Sequence, residues 1–126
     1  MSNTSIIGAY NTAFGSFVSK NKETKEVTDL KSIYALMTEA GQGALKDAGV
    51  TADQIDGIWV GSCSPSLFAN QEHLAPNALD VDPVKLRFKS ATRCEDACAS
   101  SSVALYNAIY AVESGRCNYA LVIGVE

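Results

Sequence analysis

Residues 119–125 read Tyr-Ala-Leu-Val-Ile-Gly-Val, an uncharged and mostly apolar run with no polar alternation. A strand with one wet face alternates apolar and polar side chains. A continuous run of this kind instead fits a strand covered on both faces, as in a parallel sheet between helices. Parallel strands need crossover connections, usually helical, so the rest of the chain has to supply strands and helices in turn.

It does. Residues 6–10 are apolar and predict a first strand, and residues 11–25, rich in Gly, Ser, Asn and Lys, predict a loop. Thr28 is a suitable N-cap for a helix over 29–48, in which Leu30, Ile33, Leu36, Met37, Ala40, Ala44 and Leu45 recur at helical spacing. Gly49 is placed to end that helix in a left-handed conformation. Residues 51–55 predict a helical turn, and Asp56-Gly57 turns the chain into a second strand over 58–61. Residues 63–70 read as a loop, and 71–79 as a short helix made irregular by Pro76. Residues 85–91 alternate and predict a third strand. A helix over 99–114 buries Val103, Leu105, Ala108, Ile109 and Val112, and Gly115 ends it before the strand at 119–125. This order predicts an α/β fold, a mainly parallel sheet flanked by helices, in one domain over residues 1–126. A doubly covered strand so near the end of the sequence implies that the sheet continues in another chain or in a longer version of this one.

Ligands of such sheets collect at the carboxyl ends of the strands. The run Arg93-Cys94-Glu95-Asp96-Ala97-Cys98-Ala99-Ser100-Ser101-Ser102 lies at one such end, and the loop containing Ser62, Asn70 and Gln71 at another. Cys98 stands where a strand hands over to a helix. A thiol there faces unpaired backbone N–H groups and the positive end of the helix dipole, which favours thiolate and nucleophilic chemistry. The N–H of Ala99 is a candidate donor to an oxyanion, and Ser62, Asn70 and Gln71 are candidate substrate-loop residues. Glu95 and Asp96 read as ordinary acids at a helix start, since adjacent carboxylates disfavour a thiolate. His73, the single histidine, has no spacing that makes it a base for Cys98.

The 126 residues are 47% hydrophobic and 19% charged, with a formal net charge of −4, which fits a folded domain and gives no basic stripe for nucleic acid. The lysines at 20, 22 and 25 alternate with Glu23 and Glu26 and read as a solvated loop. No apolar stretch approaches the roughly 20 residues of a membrane span, and the first residues do not resemble a secretory signal, so the cytoplasm is expected. The four cysteines match no zinc pattern, so no metal is expected. Cys63 and Cys117 read as small buried residues near strands.

Several motifs together resemble the thiolase superfamily, above all sterol-carrier-type thiolases and acetyl-CoA acetyltransferase-like proteins. They are Ile6-Ile7-Gly8, Asp56-Gly57-Ile58-Trp59-Val60-Gly61, Glu95-Asp96-Ala97-Cys98-Ala99-Ser100, Val103-Ala104-Leu105, Ala111-Val112-Glu113-Ser114-Gly115 and the run from Ala120 to Glu126. The resemblance implies a layered α/β fold built from two similar halves, of which this chain is like the N-terminal one, ending after a fourth strand. It implies that Cys98 takes an acyl group from acyl-CoA as a thioester, with a coenzyme A thioester as substrate and no bound cofactor. In the family a histidine base, a second cysteine and most coenzyme A contacts come from the other half. Gly-His-Pro and Cys-Gly-Gly motifs are absent from this sequence. Ser101-Ser102 stands near a point where thiolases usually carry glycine, and similar Ser-rich versions occur in ketoacyl synthases, so the subclass stays open.

Three readings follow. The chain is a fragment or subunit of an acyl-CoA acyltransferase, inactive until a complementary C-terminal-half chain joins it. Or it is a non-catalytic oligomerising domain that forms a homodimer. Or it is a truncated gene product without selected activity.

Overall fold

The computed structural model describes residues 4–126. The sheet forms around β3 (Gly57–Gly61), whose neighbours β4 (Ser90–Cys94) and β5 (Ala120–Gly124) both run parallel to it. Gly57 is level with Ser90 and Ala120, and Gly61 with Cys94 and Gly124, so the three carboxyl ends finish together. Alternation along the strands divides the side chains between two faces. Ile58, Val60, Leu121 and Ile123 are buried on one face with Met37, Leu74, Ala78, Val81 and Leu86.

Helix α1 (Ile33–Ala48) and the 3₁₀ segment Ala75–Val81 cover that face. The close approach depends on Gly41, where an added Cβ would lie 2.4 Å from Val81 and 3.3 Å from Ile123. Helix α3 (Ser100–Glu113) covers the opposite face through buried Ala104 and Ala108. The expected α/β arrangement, a parallel sheet with helices on both faces, is therefore what forms. Gly49 ends α1 at φ 66° and the 3₁₀ turn Ala52–Gln54 falls where a helical turn was expected.

Several local expectations change. Residues 6–10 make no ladder with the sheet. They lie along α1 instead, with the Ala9 N–H donating to Asp47 at 2.9 Å and the Tyr10 hydroxyl to Glu39 at 3.0 Å. A cavity of about 310 Å³ lies between this segment and β5. Among the described residues the parallel sheet thus has three strands, not four.

Residues 11–25 are not all loop, because β1 (Val18–Lys20) pairs antiparallel with β2 (Val27–Asp29). Asn21 organises the turn by accepting from the Glu23 and Thr24 N–H groups. β2 takes Thr28, so the N-cap of α1 is Ser32, which accepts from the Ala35 N–H.

Residues 63–70 contain a short helix α2 (Pro65–Ala69), initiated by Pro65. The strand expected at 85–91 starts only at Ser90. Asp82 draws the Val84 and Lys85 N–H groups into a turn, and Phe88 has φ 67°, so the alternation of 85–88 belongs to a loop anchored by fully buried Leu86.

Candidate active site

The site is built at the level carboxyl ends of β3, β4 and β5. After Cys94 the chain turns through Glu95 and Asp96 into a short 3₁₀ turn, Ala97–Ala99, which leads straight into α3. The turn is tight. Ala97 has φ 46°, a left-handed conformation that costs a residue with a Cβ roughly 1–2 kcal/mol. Ser100, only 4% exposed, locks it: its hydroxyl donates to the Ala97 carbonyl at 2.7 Å and accepts from the Asp96 N–H at 2.9 Å. Cys98 is carried at the middle of this turn as an exposed free thiol.

The first turn of α3 can reach the sheet only because two strand ends lack side chains. A Cβ on Gly61 would lie 2.4 Å from the Ser101 Cα and 2.6 Å from its N. A Cβ on Gly124 would lie 2.4 Å from the Ser101 Oγ. Both glycines precede the loops at the carboxyl ends, so the Cys98 turn is seated directly over the end of the sheet.

The 62–64 turn forms the neighbouring wall. Glu126 accepts from three consecutive residues: the Ser62 hydroxyl at 3.2 Å, the Cys63 N–H at 2.6 Å and the Ser64 N–H at 2.8 Å. Burial pushes the Glu126 carboxyl up, but these three hydrogen bonds and the Arg93 charge outweigh it and hold the group below the usual range. Arg93, from β4, donates to the carbonyls of Ser62 (3.0 Å) and Cys63 (3.2 Å) and pairs with Glu72 at 3.3 Å. The wall meets the Cys98 turn through the Cys63 thiol, 3.9 Å from a Glu95 oxygen that also accepts from the Ala97 N–H at 2.8 Å.

The structure distributes the expected site residues unevenly. Cys98 is at the strand-to-helix junction, and Glu95 acts as a local cap. The Ala99 N–H donates to the Asp96 carbonyl at 2.8 Å and so helps close the turn. Ser62 is 1% exposed and bonded to Glu126, which makes it a structural part of the wall. Asn70 ends α2 in the left-handed conformation at φ 52°. Gln71 accepts from the Tyr34 hydroxyl and donates to the His73 carbonyl, so it braces the loop against α1. Cys117 is buried as expected, but Cys63 is half-buried and belongs to the site.

Arg93 and Glu126 were missed as site residues. Their signal is weak in sequence: a cation at the penultimate position of one strand and an acid two residues beyond the glycine that ends another.

The family described as "Thiolase, N-terminal domain" matches residues 4–126. An acetyl-CoA acetyltransferase of Methanothermobacter thermautotrophicus is 38% identical over the whole chain, and one of Methanocaldococcus jannaschii is 37% identical. This chain spans 30% and 29% of their lengths. A beta-ketoacyl-(acyl-carrier-protein) synthase III of Vibrio vulnificus is 33% identical over 93 residues, covering 72% of this chain and 24% of that protein.

Proposed function

The chain belongs to the thiolase family through its N-terminal domain, and from that premise we propose that Cys98 is the nucleophile of a thiolase-type acyl transfer from acyl-CoA. The observation that carries the reading is an exposed thiol on a braced turn at the start of α3, over the joined ends of three parallel strands. In the proposed step the Cys98 thiol loses its proton to solvent or to a base. The sulfur then forms a bond to the carbonyl carbon of the acyl-CoA thioester. The bond from that carbon to the coenzyme A sulfur breaks, and coenzyme A leaves as a thiolate that takes up a proton.

The chain spans about 30% of the length of its acetyltransferase relatives. The reading is therefore of a fragment or subunit that can form the acyl-enzyme and needs a complementary C-terminal-half chain for the second transfer. The test is intact-mass and peptide mass spectrometry after incubation with acetyl-CoA. One acetyl group on Cys98, absent from Cys98→Ala, is the expected result. No adduct across several acyl-CoAs, with the Cys98 thiol shown to be free, would refute it.

A second reading is a non-catalytic homodimer. It is favoured by the outward side of α3, where Tyr106 and Tyr110 are 57% and 62% exposed. A stable dimer in sedimentation, combined with no thioester at Cys98, would select this reading over the first.

A further inference from the structure

We propose that Glu126 is a positioning residue for Cys98, holding the 62–64 turn as the rigid wall against which the Cys98 turn is braced. The proposal rests on the acyl-transfer reading of Cys98.

The 62–64 turn is gripped from both sides by opposite charges. Its donors, the Ser62 hydroxyl and the Cys63 and Ser64 N–H groups, converge on the Glu126 carboxylate. Its acceptors, the Ser62 and Cys63 carbonyls, converge on the Arg93 guanidinium. Charge-assisted hydrogen bonds are about twice as strong as neutral ones. A turn held by five such bonds from two different strand ends has little freedom to shift. Glu126 itself is registered to the sheet, because the preceding Val125 N–H donates to the Gly61 carbonyl at 3.0 Å and so extends the β5–β3 pairing.

The grip is passed on to the nucleophile by a short path. Cys63 belongs to the held turn, its sulfur faces Glu95, and the same Glu95 oxygen fixes the Ala97 N–H one residue before Cys98. Ala97 is the residue whose left-handed backbone needs outside support. If the wall loosens, the Glu95 cap loses its backing and the turn can relax toward ordinary φ. The thiol then moves relative to the end of the sheet, and a misplacement of about 1 Å is enough to cost on the order of a hundredfold in a positioned reaction.

The carboxylate form is required. In Glu126→Gln one oxygen is replaced by an NH₂ that faces backbone donors and repels them, whereas Glu126→Asp keeps the charge and both acceptors on a shorter stem. Two measurements separate positioning from a local structural role. The first is amide hydrogen exchange, read by mass spectrometry for peptides covering 62–64, 95–99 and α1. The second is the rate of Cys98 thioester formation as a function of acetyl-CoA concentration.

Glu126→Gln is expected to speed exchange in both 62–64 and 95–99 while leaving α1 unchanged. The maximal acylation rate should fall about tenfold or more at an unchanged half-saturating acetyl-CoA concentration, with Glu126→Asp between the two. Faster exchange confined to 62–64, or a loosened 95–99 with an undiminished acylation rate, would overturn the proposal. If the wild-type protein forms no thioester, the acyl-transfer reading falls. The exchange data then still decide whether Glu126 braces the Cys98 turn, and unchanged exchange at 95–99 would overturn the bracing as well.

Discussion

Gly61→Ala tests how closely α3, which follows the Cys98 turn, is seated on the sheet. The new Cβ would sit 2.4 Å from the Ser101 Cα, 2.6 Å from the Ser101 N and 2.8 Å from the Ser100 carbonyl carbon. All three are backbone atoms, so no side-chain rotation relieves the contact. Carbon atoms rest at about 3.5–4.0 Å, so the first turn of α3 must retreat by roughly 1 Å. Overpacking of this kind costs about 1–3 kcal/mol, offset by about 0.5–1 kcal/mol for replacing a strand glycine with alanine. The expected net loss is up to about 2 kcal/mol. The turn that carries Cys98 leads directly into the displaced one, so thioester formation should fall by on the order of a hundredfold.

Gly124→Ala is the matched comparison, because its nearest atoms are the Ser101 Oγ at 2.4 Å and Cβ at 3.1 Å. Removing that side chain with Ser101→Gly should rescue Gly124→Ala but not Gly61→Ala, a distinction a double-mutant cycle reads directly. Urea unfolding followed by fluorescence of the single Trp59, with mass spectrometry of the Cys98 thioester, supplies both readouts. A Gly61→Ala protein with wild-type stability and acylation would refute the seating, as would equal rescue of both variants by Ser101→Gly.

Two further outcomes test the turn and its supports. Ala97 sits at φ 46°, so Ala97→Gly should be neutral or stabilising by up to about 1 kcal/mol. Ala97→Val should lose about 1 kcal/mol or more in urea unfolding, because a β-branched side chain fits a left-handed backbone worse. Asp56 accepts from the Asn118 and Tyr119 N–H groups, which hold its carboxyl below the usual value. A depressed folded value gives stability that is present above the unfolded value and lost as pH falls through the folded one. The urea-midpoint difference between wild type and Asp56→Asn should therefore be constant near neutral pH and shrink below about pH 4.

The long-range plan of this chain was legible because it is written in repeated signals. The apolar run at 119–125, the glycine after each long helix and the helical spacing of Met37, Ala40 and Ala44 each recur over a whole element. They brought out α1, α3, β3 and β5 within a few residues of their observed ends. What stayed hidden depends on single hydrogen bonds. The alternation at 85–88 has a strand's period, yet one Asp82 carboxylate folds it into a turn. Thr28 reads as a cap in sequence, yet the pairing of Val27 with Lys20 draws it into a strand and the cap falls to Ser32. At the site, Cys98 could be found from its place between strand and helix. Glu126 could not, because its three partners lie 62 to 64 positions away and are two backbone N–H groups and a hydroxyl.

The same backbone geometry sorts the four thiols into different chemical roles. Cys94 occupies the last position of β4 and is buried on the side of α3, where Asn107 meets its sulfur; burial pushes its thiol up, against a lowering contact from Asn107. Cys117 is likewise pushed up by burial and by the Asp56 charge. Both are therefore held as thiols, the unreactive form. Cys63 is half-buried between the Ser64 hydroxyl and Glu95, where its sulfur serves as a contact between two turns. Cys94 and Cys98 are only four positions apart, and no difference in residue type distinguishes them. Between them the turn from Glu95 to Ala99, with left-handed Ala97 in it, reverses the chain from strand into helix, so the strand end buries one thiol beneath α3 and the turn presents the other to solvent. The backbone cost at Ala97, the two glycines beneath Ser101 and the clamp on the 62–64 turn all bear on that one reversal. Their common effect is to fix where a single exposed thiol stands.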